Sequence, residues 1–139
     1  MKHNLILRII AKLLIPFIIL FALYVQFHGD FGPGGGFQAG VIFSSAFILY
    51  TLVYGLETAE RIIPVHILKI FASLGVLLYA GTGVAGLLLG GEFLNYSVLA
   101  EAPITGQHIG IIVIELGVGI TVAAVMIMIF FSFAGRGRQ

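Results

Sequence analysis

Four apolar runs of about twenty residues or more, separated by short polar links, dominate the chain. The hydrocarbon core of a bilayer is about 30 Å thick and is crossed by about 20 apolar residues in a helix, so each run reads as a transmembrane helix. The first covers about Leu5–Phe27. It carries Arg8 and Lys12 only in its opening turns, where long side chains reach the interface, and Pro16 predicts a mild kink. The second, about Phe37–Leu56, holds no charge; the third, about Ile67–Gly90, holds Lys69 alone at its start. The fourth, about Gln107–Phe133, holds a single acid, Glu115. The expected fold is an all-α membrane protein, a bundle of four transmembrane helices forming one domain over residues 1–139. Because the links are short, consecutive helices are expected to pack antiparallel. No small-residue cleavage pattern follows the first run before Phe27-His28-Gly29-Asp30, so it reads as a retained helix and not a signal peptide.

The basic residues all fall on one side of this arrangement. Lys2, Arg8 and Lys12 precede or open the first run, Arg61 and Lys69 flank the second link, and Arg136 and Arg138 follow the fourth. The other two links, His28–Gly36 and Gly91–Gly106, contain Asp30, Glu92 and Glu101 but no Lys or Arg. The positive-inside rule therefore predicts both termini in the cytoplasm, N-in and C-in. Composition agrees with a lipid solvent. Of 139 residues 60% are hydrophobic and 9% charged, against about 25% charged in soluble domains, and mean hydropathy is +1.14. With no cysteine, disulfides, thiolate nucleophiles and Cys-bound metals are excluded; a net charge of +1 provides no field for nucleic acid. Four scattered histidines make no structural metal site, no nucleophilic constellation is present, and no cofactor is called for.

The most distinctive segment is His28-Gly29-Asp30-Phe31-Gly32-Pro33-Gly34-Gly35-Gly36-Phe37-Gln38-Ala39-Gly40. Pro33 followed by Gly34 suits a type II turn. The further glycines could form an anion nest of backbone N–H groups or a closely packed helix entry. No Gly-Lys-Ser/Thr follows, which favours the helix entry. Small residues then repeat every four positions, as Gly36, Gly40 and Ser44 in the second run and as Thr82, Gly86 and Gly90 in the third. Such faces let helix backbones approach where lipid gives no hydrophobic drive for association.

Glu115 is the ionisable group deep in an apolar run. Counted from the start of that run it lies about 12 Å down, close to mid-membrane. An acid there costs about 2.5–3.5 kcal/mol on insertion scales, so it must face protein or water. His108 stands seven residues earlier, two turns up the same face. Two readings stay open: a cation or proton relay, or a Glu115 hydrogen-bonded to a neighbouring helix with His108 at the interface. His28 and Asp30 belong to the glycine link, at the mouth, where solvated residues are the default. One deep acid with no deep base is half of a relay, and a chain so equipped needs partners.

The run Gly29-Asp30-Phe31-Gly32-Pro33-Gly34-Gly35-Gly36-Phe37, followed by Gly40, resembles the signature of the MnhB-type subunits of the Mrp-type (Mnh-type) multisubunit sodium/proton antiporters, a family with relatives in membrane-bound hydrogenase complexes. Chain length, four helices, the Glu57-Thr58 exit from the second run and a last helix with His108 and Glu115 extend the likeness over nearly the whole chain. Where the family often has a histidine after the first glycine, this chain has Asp30. The resemblance implies a small multi-pass subunit of a large complex in the cytoplasmic (inner) membrane of a prokaryote, exchanging sodium or another monovalent cation for protons. Its partners would be other membrane subunits, sodium ion, protons and the lipid bilayer. Pro33, Gly34, Gly35, Gly36, Phe37 and Gly40 would form the packing motif. Glu115, His108, Asp30 and His28 would be the ion-path candidates, with a transient sodium ion near Glu115. The rival readings are a structural or assembly subunit of such a complex or of a hydrogenase, and a stand-alone channel formed by copies of the chain; a membrane enzyme ranks last.

Overall fold

The computed structural model describes residues 5–28, 35–90 and 103–136, apart from the side chains of 103–108. The chain runs α1 (Leu5–His28), α2 (Gly36–Tyr54), α3 (Leu56–Ile62), α4 (Val65–Leu88) and α5 (Pro103–Ala134), with no strand among the described residues. α1, α2, α4 and most of α5 are long and apolar enough to cross a membrane. α3 is a short helix within the second link, and its boundaries follow from local chemistry. Gly55, at φ +98°, stops α2 while its N–H still bonds to the Thr51 carbonyl at 2.9 Å. Pro64 lacks an N–H and ends α3, and its carbonyl then accepts the Leu68 N–H at 3.2 Å to start α4.

Across the molecule the long helices stand in the order α1, α2, α5, α4. α2 and α4, joined by the shortest link, are therefore not packed neighbours, because α5 lies between them. The reason is in α5 itself. Gly117 and Gly119 are two residues apart, and at 3.6 residues per turn they face nearly opposite sides of the helix. A methyl added at Gly117 would meet the Gly75 carbonyl of α4 at 2.8 Å; one added at Gly119 would meet Gln26 of α1 and Gly36 of α2. α5 thus offers a bare backbone surface to both flanks.

The α4–α5 seam is pinned by a direct hydrogen bond, the Thr121 hydroxyl donating to the Ala72 carbonyl at 3.0 Å. Gly75 lies over Thr121 Oγ1 and the Gly117 carbonyl. Thr82 and Gly86 are buried on the same helix, whereas Gly90 lies beyond its end, exposed at φ +91°. Buried Ala59, Leu68, Ala124, Ile127 and Phe131 join α3, α4 and α5, and Phe47 of α2 packs on Phe131 with ring centroids 6.3 Å apart. Where α1 begins and α2 ends, the Arg8 guanidinium sits 5.1 Å above the Tyr54 ring, and the Tyr54 hydroxyl donates to the Arg8 carbonyl at 3.4 Å. At the other end the Gly35 N–H bonds to the Val25 carbonyl at 3.3 Å, tying the exit of α1 to the entry of α2.

The close α4–α5 approach predicts that Gly75→Val separates the two helices, since the new side chain would have to displace helix backbone. Overpacking of this kind costs about 1–3 kcal/mol or more. Gly81→Ala, where an added Cβ meets nothing within 4 Å, is the matched control. Size-exclusion chromatography of detergent-extracted protein should show loss of the monodisperse species for the first and no change for the second.

Candidate functional site

The glycine segment ends where α2 enters the bundle. Gly35 is the N-cap of α2, with φ 144° and ψ −176°, a conformation that side chains rarely adopt. Having no side chain, it cannot cap the helix, and the first-turn N–H groups of Gly36, Phe37 and Gln38 have no acceptor within α2. What stands there instead is α5. A Cβ on Gly36 would run into the Glu115 backbone carbonyl, and a Cβ on Gly40 would come 2.8 Å from the Gly119 carbonyl. The four-residue spacing on α2 thus meets the four-residue step from Glu115 to Gly119 on α5, backbone against backbone.

That contact sets the position of the Glu115 side chain. A methyl on Gly35 would lie 3.5 Å from Glu115 Oε1 and 3.2 Å from Gln38 Oε1, so the two side-chain oxygens converge over the bare glycine. One turn further along α5, Gln26 Oε1 would lie 2.6 Å, and the Gly36 carbonyl 3.3 Å, from a methyl on Gly119. Gln26 is only 6% exposed; Glu115 is half-buried. Oxygens from α1, α2 and α5 therefore gather at the entry of α2. A carboxylate beside a helix N-terminus interacts favourably with the exposed N–H groups, typically by about 0.3–1 kcal/mol. Among the described residues no group of three His, Cys, Asp or Glu side chains comes together. The chemistry here is that of one carboxylate with carboxamide and backbone oxygens. Such a set can accept a proton or contribute hard ligands to a cation.

The sequence candidates are placed unequally. Gly35, Gly36 and Gly40 are buried against α5, as expected of a packing motif, while Phe37 is 61% exposed. His28 is half-buried and stacked on Tyr24, with ring centroids 5.0 Å apart. It shares a face of α1 with that exposed tyrosine, so Gln26, not His28, is the α1 side chain that reaches the glycine seam. Asp30, Pro33 and Gly34 lie outside the described residues, as does the side chain of His108. The His108 backbone is about 10 Å from Glu115 along α5. The depth of Glu115 also differs from a count along the apolar run. α5 has 32 residues and is about 48 Å long, well beyond the bilayer core, so it overhangs α2. Glu115 is level with the first turn of α2, at the entry of the bundle and not its middle.

Gln26 and Gln38 are missing from the sequence candidates. Gln38 holds the third position of α2, where a Gln side chain folds back toward the cap, and that spacing is the available signal. Gln26 carries only a weak one, a lone amide in an apolar run.

Residues 6–128 match the family described as the domain related to the MnhB subunit of Na+/H+ antiporters. The chain belongs to this MnhB family. Proteins named "Putative antiporter subunit mnhB2" from Staphylococcus aureus strains Newman, JH1 and NCTC 8325 are each 38% identical to it over 122 residues, spanning 85% of this chain and 86% of theirs. The glycine–Glu115 contact is therefore a feature of an MnhB-family membrane subunit. Its tightness predicts that Gly36→Ala pushes the Glu115 backbone away and destabilises the α2–α5 pair by about 1–3 kcal/mol. Thermal unfolding of the detergent-solubilised protein should show the loss, with Gly81→Ala unchanged as the reference.

Proposed function

We propose that this MnhB-family subunit supplies one station of the ion path in its Na+/H+ antiporter, with Glu115 as a transient site for a sodium ion or a proton. The observation that carries the reading is the gathering of the Glu115, Gln38 and Gln26 oxygens at the entry of α2. His108 would relay from the solvent side, with Asp30 and His28 at the mouth. With both termini cytoplasmic, as the one-sided Lys and Arg distribution requires, the glycine turn faces outward in the cytoplasmic membrane. The chain makes and breaks no covalent bond and acts with other antiporter subunits, in contact with lipid, sodium ion and protons.

A second reading, a structural subunit with no ion path of its own, is favoured by one observation. The cavity that runs from the level of Leu116 toward Ile127 is lined almost wholly by apolar groups. On this reading Glu115 is an interhelical hydrogen-bonding residue, and its amide replacement would serve as well. The two are separated by sodium/proton exchange in everted vesicles, with assembly read by co-purification of the other subunits. The ion-path reading expects Glu115→Ala and Glu115→Gln both to reduce exchange to background in a complex that still assembles. Exchange at the normal rate in an assembled Glu115→Gln complex would leave only the scaffold. Orientation has its own test, because the chain contains no cysteine. A membrane-impermeant maleimide should label Arg136→Cys in everted vesicles and not in intact cells; the reverse pattern would put the glycine turn on the cytoplasmic side.

A further inference from the structure

α1 and α4 stand at the two ends of the helix row and pack on α2 and α5 without packing on each other. Between them lies an open groove of about 430 Å³. Its floor is made of small residues on the central pair, namely Ala39 and Gly40 of α2 and Gly119, Ala123 and Ala124 of α5. Leu23 of α1 and Phe71 of α4 form its sides. Along α5 it extends from Leu116 to Ile127, about 16 Å or three helical turns. The polar side chain on its wall is Gln26, 6% exposed, which makes no hydrogen bond among the described residues.

We propose that this groove seats one transmembrane helix of another subunit of the antiporter, with large aliphatic side chains against the floor and one hydrogen-bonding side chain at the level of Gln26. Three features select that occupant. A floor of alanine and glycine lets a second helix approach closely, which is how helices associate in lipid. A length of three turns gives a helix face enough positions for several inserted side chains. The buried carboxamide calls for a polar partner at membrane depth, and an acyl chain has neither donor nor acceptor to give it. The inference rests on membership of a family of antiporter subunits and is independent of the ion-path reading, so Glu115 can fail as an ion site without affecting it.

The test uses the complete complex in native membranes. A benzophenone amino acid replaces Phe43 or Phe71, which line the groove and are 37% and 48% exposed, and adducts formed on illumination are identified by mass spectrometry. Both positions should cross-link to the same transmembrane segment of another antiporter subunit. Adducts only with lipid, only with a second copy of this chain, or with that segment from only one position would overturn the proposal. Adding Gln26→Leu should remove most of the adduct, and Gln26→Asn should retain part of it. Undiminished adduct with the leucine variant would overturn the polar match. Equal loss in both variants would do the same, by marking a packing role for the residue. Recovery of the complex with the other subunits is checked for each variant in the same preparation.

Discussion

The arrangement depends on backbone meeting backbone between α2 and α5. In lipid, apolar side chains gain little by leaving the hydrocarbon, so helices are held by close packing and by the few polar contacts they can make. Gly36 and Gly40 remove the side chains that would hold α5 away, and the Glu115 and Gly119 carbonyls occupy the vacated space. The same contact brings the Glu115 carboxyl group beside Gly35 at the uncapped start of α2. Packing and polar chemistry are thus served by one short glycine segment.

From this pair the remaining helices find their places. Gly119 on one side of α5 faces α1 and α2, and Gly117 on the other faces Gly75 of α4. One helix can therefore be close-packed on both flanks, and it becomes the centre of a row instead of one corner of a closed bundle. The consequence is an unfilled groove between the two end helices. A chain whose central seam is so tight and whose periphery is so open is built to be completed by neighbours, in keeping with a family of antiporter subunits.

Much of this is legible in the residues. Apolar runs matched to the bilayer mark four helices, and the four-residue step from Gly36 to Gly40 marks the face of α2 that is buried. The same rule extends the α4 stripe to Gly90, which falls past the helix end, and it misses Gly75, whose importance comes from Thr121 and Gly117 on another helix. Contacts between non-consecutive helices leave no local periodicity to read. Glu115 stands out because it is charged; Gln26 and Gln38 do not, since an uncharged amide barely changes a hydropathy profile. Counting along the run misplaces the depth of Glu115 for a related reason: a run of apolar residues gives a length, and only the neighbouring helix shows how far that length overhangs the bundle.

The functional account ties the glycine segment and Glu115 into one unit. The most direct measurement is a density map of the assembled antiporter, read at the crossing of these two helices. The account predicts the Glu115 backbone in van der Waals contact with Gly36, its carboxyl group beside Gly35 and Gln38, and Gln26 filling the next gap along α5. A map in which side chains or lipid separate α2 from α5, with Glu115 turned toward acyl chains, would contradict it.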